Sequence, residues 1–455
     1  MRNKINIQPC FPFYSRVPKE VIKFQERYNH IDRILDENPE ILQMVHTDLC
    51  RPCSSTGRQS TFSSEQFLRM IVVKVIEGLS LRGVIIRVSD SDFLRNFTRI
   101  FSGKMMGFTE LDTAIKNITQ QTWKKINTLL MRYAKKKKKI TGKRLRVDST
   151  VCETNIHYPT DASLLWDSFR VASRLMRQII SYEPVLSLGN RFHDKKAKQL
   201  YTFISTHAGK KRSKRSVKRK TRKLIEKVDW ICSIGRHFIR NADERGTFSI
   251  EAIGLLAQLQ EKIPLMEQVA VCARRAYNGE TVPASDRIFS IFEPHTELLK
   301  RGKARKPVEF GHMVTIGQTA EKFISFYCVE EQSRHDVHIG DEALRHHKET
   351  FGAYPKEFAA DKNYYGGPTH LKKWEKCIPV YAIGKKGRRD ESETEREHGL
   401  LFRLLQRFRA GCEGSISVLK RVFGLYRCFF RGFKSFASSI GSTIFCHNLV
   451  VLSRL

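Results

Sequence analysis

A change of hydrophobic period limits this chain more than any other feature. Up to about residue 140, apolar residues recur every three or four positions, the spacing of helices buried on one face. At residues 143–151, within "RLRVDSTV", the pattern shortens to that of a strand, with one carboxylate, Asp148, in its middle. Strand interiors are depleted in Asp, and a buried carboxylate without a partner is costly. Residues 160–300 return to helical spacing. Near residue 307 the period becomes two: "VEFGHMVTIG", a "QTAE" turn and "KFISFYCVEE" read as a β-hairpin. A helix is expected over 338–351, then a short apolar strand ending at Asp361 and a Gly turn. "THLKKWEK" reads as a short helix, "CIPVYAIG" as a strand and "GKKGRRDESETEREHG" as a charged loop. Two helices run from about 398 to the last residue.

Without the 160–300 insert the second half reads β-β-β-α-β-α-β-α-α. That is the element order of a ribonuclease-H-like α/β core: an antiparallel meander, then parallel strands joined by right-handed crossovers. The expectation is therefore a mixed five-stranded sheet in residues 141–455, interrupted by a helical insertion at 160–300. An all-helical domain, 1–140, precedes it. In such a sheet the first and fourth strands are neighbours, so Asp148 and Asp361 come together.

The N-terminal part carries its own signals. Ser63 with Gln66 forms a capping box before "SEQFLRMIVVKVIEG", and Thr109 with Asp112 suggests another. One helix is expected to follow, with its stripe at Leu111, Ile115, Ile118, Trp123, Ile126, Leu130 and Tyr133. It ends in five lysines, Lys135–Lys139, more than a helix C-terminus needs. A second basic run, residues 210–223, has ten Lys/Arg in fourteen positions, which phosphates would relieve.

The chain has 81 Lys+Arg against 47 Asp+Glu, a formal charge of +34. That field attracts polyanions, nucleic acid above all. No run of 18 apolar residues suggests a membrane span, and "MRNKINIQPCFPFYSRVPKE" lacks the apolar core of a secretion signal. The expected place is the cytoplasm, on DNA. The eleven scattered cysteines read as reduced core thiols. Cys50 and Cys53 form the one CxxC; with His46 and Cys10 they could ligate zinc, but a turn after a helix is the simpler reading.

Two adjacent carboxylates repel unless a cation sits between them. Paired Mg²⁺ or Mn²⁺ ions answer this: hard oxygen ligands suit them, and two ions clamp the attacking and leaving oxygens of a phosphodiester. A third carboxylate is needed from a following helix. In "RFRAGCEGSISVLKRVFG", Arg409, Glu413, Ser417 and Lys420 share one helical face, and Ile416, Leu419 and Phe423 another. Gly411 and Gly414 flank Glu413, which allows close approach of a DNA backbone. The candidate catalytic and metal-binding set is Asp148, Asp361 and Glu413. The candidate DNA contacts are Arg409, Lys420, Arg421, Lys210, Lys211, Arg212, Lys214, Arg215, Lys137 and Lys138. Glu153 and Glu397 are rival ligands, and Asp161 is expected to be an N-cap.

On these residues the chain resembles insertion-sequence transposases of the DDE type, close to ISNCY-type elements. "TFSSEQFLRMIVVKVIEGLSLRGVIIRVSDSDFLRNF" is similar to their N-terminal helical domain. "RVDSTVCETNIHYPTDASLL" is similar to their first-Asp motif, "KARKPVEFGHMV" to the following strand and "AADKNYYG" to their second-Asp motif. Their last motif is Tyr, two residues, Arg, three residues, Glu, six residues, Lys. Arg409, Glu413 and Lys420 fit it, with Gln406 at the Tyr position. The resemblance implies metal-dependent cutting of double-stranded DNA at transposon ends, strand transfer of the 3′-OH into target DNA, and a homodimer or larger assembly on DNA. A nuclease that cuts without joining, or a silent DNA-binding protein, are the alternatives.

Overall fold

A computed structural model of the chain describes residues 18–50, 60–101, 103–187, 189–246, 248–300 and 307–455. These form two compact units: residues up to 155 with 311–455, and residues 156–310.

The larger unit opens with α1 (Lys19–Asp36), α2 (Pro39–Cys50), α3 (Ser64–Ile76), α4 (Leu81–Ser89), α5 (Asp92–Phe97), α6 (Phe108–Asn117), α7 (Gln120–Lys136) and β1 (Arg144–Thr154). The Ser63 capping box forms: Gln66 N donates to Ser63 Oγ at 3.2 Å, and Ser63 N to Gln66 Oε1 at 2.8 Å. The expected Thr109–Asp112 box does not. Instead Glu110 accepts from Gly107 N at 2.8 Å, so α6 begins one residue before Thr109. The single helix expected through Tyr133 is two. Thr119 caps α7, and Asp48 Oδ2 accepts from Thr119 N at 2.9 Å, which turns the chain between them.

The smaller unit contains α8 (Asp161–Tyr182), α9 (Asp194–His207), α10 (Lys214–Arg245), α11 (Ile250–Tyr277) and β2 (Glu297–Lys300). The apolar faces of its four helices make one core, including Phe169, Met176, Phe238 and Met266.

The chain continues through β3 (Val308–Thr319), β4 (Ile324–Val329), α12 (Asp336–Phe351), β5 (Glu357–Ala360), α13 (Pro368–Glu375) and β6 (Val380–Ala382). It ends with α14 (Glu391–His398), α15 (Leu400–Arg421), β7 (Arg427–Cys428) and α16 (Phe433–Arg454). The charged stretch read as a loop carries α14. Its nucleus is Asp390, whose Oδ1 accepts from Glu393 N at 2.8 Å, a cap strong enough to start a helix with no apolar face.

The protein is mixed α/β, with one open mixed sheet of seven strands, two more than expected. The order is β2-β3-β1-β5-β6, with β4 also on β3 and β7 also on β1. β3 runs antiparallel to β1 and β4, while β1, β5 and β6 are parallel. β1 does not stop near Val151 as expected. It runs to Thr154, because β7 pairs with Glu153 and Thr154.

The N-terminal helices and the sheet share α16, which is buried nearly all round. A helix apolar on every face needs partners on every face. Trp123 of α7 donates to Ser438 Oγ at 3.0 Å, and a Cβ on Gly441 would lie 2.5 Å from Trp123 Cβ. Asn448 donates to Asn127 Oδ1 at 2.7 Å and to Ile324 O at 2.8 Å, and accepts from Ile324 N at 2.9 Å. These bonds tie α16 and α7 to the start of β4. By length and composition α16 is also the one helix among the described residues that could cross a membrane, yet 83% of its apolar window is buried here.

Candidate active site

The side chains of β1 alternate between two layers. Leu145 and Val147 pack with α12 and α13 residues such as Leu344 and Trp374. On the opposite face, Arg146 reaches α15 through Phe408 O, and Cys152 packs with Cys412 and Leu419 of the same helix. Asp148 lies between Arg146 and Cys152 in this alternation, so it faces α15. On β5, Phe358 and Ala360 face the α12 layer, and Ala359 packs with Leu405 of α15. Asp361 follows on the α15 side. The register pairs Arg146 with Ala359 and Val147 with Ala360, the last residue of β5; Asp148 and Asp361 come next, close enough for the Asp361 charge to act on Asp148.

α15 supplies the third carboxylate. Arg409 Nη1 lies 3.4 Å from Asp148 Oδ2, and its Nη2 lies 3.3 Å from Glu413 Oε1. The guanidinium thus stands between the two carboxylates. Asp148 is largely buried, at 15% side-chain exposure, whereas Glu413 is 65% exposed. Burial pushes the Asp148 carboxyl above the usual carboxylate range. The charges of Asp361 and Glu413 push the same way, against a hydrogen bond from Ser149 N and the attraction of Arg409. In this arrangement no three His, Cys, Asp or Glu side chains among the described residues stand close enough to hold a metal ion.

Three sets of hydrogen bonds support the elements that carry the carboxylates, and of their residues the sequence reading singled out only Gln406 and Arg409. Arg146, only 5% exposed, donates from Nε (3.0 Å) and Nη2 (2.5 Å) to Gln318 Oε1, and from Nη1 to Phe408 O at 2.7 Å. Ser415 also donates to Gln318 Oε1, at 3.0 Å. This locks β1, β3 and α15 together beneath the site. Gln406 donates to Ala382 O at 3.0 Å and accepts from Arg409 Nε at 3.1 Å, so it orients the guanidinium. Tyr364, in the turn after Asp361, shares a hydrogen bond of 2.7 Å with Ser149 Oγ, beside Asp148. The available signal was alternation: polar residues at 146 and 148 fall on one face of a strand.

Gly411 corrects an expectation. A Cβ there would lie 2.2 Å from Arg146 Nη1, so this glycine makes room for the arginine beneath it, not for DNA. Gly414 does have open space on its Cβ side. The rivals for metal ligation are engaged elsewhere. Glu153 accepts from Arg427 Nη2 at 2.8 Å, and Glu397 from Lys385 N at 2.7 Å and Arg389 Nε at 2.9 Å. Asp161 is the first residue of α8 and not its cap, which is Thr160; Arg287 pairs with Asp161 at 2.9 Å.

The basic candidates divide. Lys420 is half-buried in the last turn of α15, and Arg421 next to it is exposed. Lys210, Lys211, Arg212, Lys214 and Arg215 are all exposed at the start of α10, in the smaller unit. Much of the lysine run at the end of α7 binds its own unit. Lys137 pairs with Glu37 at 2.6 Å, Lys135 Nζ donates to Phe351 O at 2.8 Å, and Lys139 Nζ donates to Leu455 O. Lys138, at φ 57°, is exposed. The expected DNA role therefore rests less on Lys137 than on Lys138. Cys50 Sγ lies 3.7 Å from His46 Nε2, while Cys10 and Cys53 lie outside the described residues.

No protein-family model, curated protein or solved structure matches the chain.

Proposed function

We propose that this chain is a DDE-type DNA transposase: a metal-dependent enzyme that cuts DNA at element ends and joins the freed 3′-OH to target DNA. One observation carries the reading. Asp148 and Asp361 each directly follow the last paired residues of β1 and β5, the Asp361 charge acts on Asp148, and Asp148 is bridged by Arg409 to Glu413 of the same helix. The strand order β4-β3-β1-β5-β6, antiparallel and then parallel, supports a ribonuclease-H-like core.

The donor set suits Mg²⁺ or Mn²⁺, since it offers carboxylate oxygens and no sulfur. Asp148 is a carboxylate destabilised by burial and by like charge, and such a group gains from a nearby cation. Arg409 supplies that cation in this structure. A pair of bound ions would stabilise the charge that builds on the scissile phosphate. Asp148 and Asp361 would hold both ions between them, and Glu413 would complete the second site. For this, Arg409 releases both carboxylates. Its planar donors then match a phosphate of the scissile strand, and Lys420, on the same helical face, adds a second cation. Water first and a 3′-OH later attack the phosphorus, and the bond to the leaving oxygen breaks each time. The positive charge of +34 favours DNA throughout. Two copies on paired ends, in the cytoplasm of a prokaryote, complete the proposal.

The test is incubation with Mg²⁺ and DNA spanning both sides of the gene, searched first for short inverted repeats. The reading expects nicks that leave 3′-OH ends and covalent joining of those ends, both abolished by Asp148→Asn. Cutting without joining would assign a nuclease. Binding with neither step would assign a silent DNA-binding protein.

A further inference from the structure

An apolar cavity of the bigger unit is lined by none of the three carboxylates. It holds about 570 Å³, within the range of small-molecule sites. Its walls come from α3, α6, α16 and the segment before α16, and include Ile71, Ile115, Phe423 and Phe430. Two cationic side chains enter this lining, Lys74 and Arg427. Lys74 comes from α3, a helix otherwise buried almost all round. Among the described residues Lys74 has neither an ion pair nor a hydrogen bond; the Phe430 ring, 5.5 Å from its Nζ, is its neighbour. Arg427 holds Glu153 through Nη2, but its buried Nε–H donates to nothing among the described residues. The one acid in the lining, Asp112, is paired with Lys116. A cation kept in apolar surroundings without a counter-charge is unfavourable, and burial holds the Lys74 amine below its usual range. A lysine is poorly suited to a wall whose only task is packing.

We propose that this cavity binds a small amphipathic anion, an apolar body carrying one carboxylate, with the head group on Lys74 and Arg427 Nε. The apolar walls take the body and set the size. Lys74 selects the charge, because a neutral ligand of the same shape leaves the amine unpaired.

The test compares decanoate with decanol on the full chain, by calorimetry and by shift of the unfolding temperature. Decanoate is expected to bind about tenfold or more tightly than decanol, the size of one charged hydrogen bond. Lys74→Met is easily buried, so the variant folds. It is expected to bring decanoate down to the level of decanol and to leave decanol unchanged. Lys74→Arg is expected to keep the preference. Equal binding of the two probes by the parent, binding of neither, or an unchanged preference in Lys74→Met would overturn the proposal.

Discussion

Gly411→Ala is a one-carbon change that reaches the candidate site through Arg146. The new Cβ would lie 2.2 Å from Arg146 Nη1, far inside van der Waals contact. Arg146 has little freedom to yield, being buried with three hydrogen bonds to Gln318 and Phe408. The Nη1 bond to Phe408 O breaks first. A lost hydrogen bond to a charged group costs about 1.5–3 kcal/mol, and forced repacking adds about 1–3 kcal/mol. Alanine returns up to about 1 kcal/mol through its better helix propensity. The net destabilisation is about 1.5–5 kcal/mol, or roughly 2–8 °C in Tm for a unit of this size. Thermal unfolding followed by circular dichroism measures it. The control is Arg146→Met, which removes the group that the Cβ meets. In that background Gly411→Ala should cost almost nothing. A parent-like Tm, or the same drop in both backgrounds, would refute the idea that this glycine exists to seat Arg146.

Asp148→Asn should raise Tm at pH 7. The folded carboxyl titrates above 3.8, so its destabilisation appears as pH rises through the folded value; the gain of the variant should close below pH 4, and a variant less stable than the parent at neutral pH contradicts the burial argument. His347 and His447 are buried and held down to about 4 from 6.5. The unfolded chain therefore binds more protons between those values, and Tm should fall as pH drops from 6.5 toward 4, less steeply in His347→Gln. Replacing Lys210, Lys211, Arg212, Lys214 and Arg215 by Gln should flatten the dependence of DNA affinity on salt, by roughly 0.9 in log–log slope for each phosphate no longer neutralised. Fluorescence anisotropy reads that slope, and an unchanged value would remove this tract from the DNA interface.

Period changes carried most of the sheet in the sequence. β1, β3, β4, β5 and β6 each have a run of apolar or alternating residues bounded by turn residues, and each forms. β2 and β7 were not legible because four residues and two residues are too few to hold a period; they exist because a longer strand offers an open edge. The break between α6 and α7 was hidden for a different reason. The apolar stripe continues across it, and the turn depends on Asp48, seventy-one positions earlier. The strand positions of Asp148 and Asp361 and the helix face of Glu413 were legible because strand ends and helix faces follow local rules. Arg146, Gln318 and Ser415 could not be grouped, since they meet only when three elements pack. Gly411 was misread for the same reason: a glycine beside a candidate ligand looks the same whether it admits DNA or an arginine from below.

The central claim is that Asp148, Asp361 and Glu413 hold divalent metal together. Iron tests it directly. With Fe²⁺ in place of Mg²⁺ and ascorbate present, hydroxyl radicals cut the polypeptide next to bound metal. The account predicts cuts near residues 148, 361 and 413 together, suppressed by excess Mg²⁺ and absent in Asp148→Asn. Cuts that cluster elsewhere, near His46 and Cys50 for instance, or that persist unchanged in the variant, would contradict it.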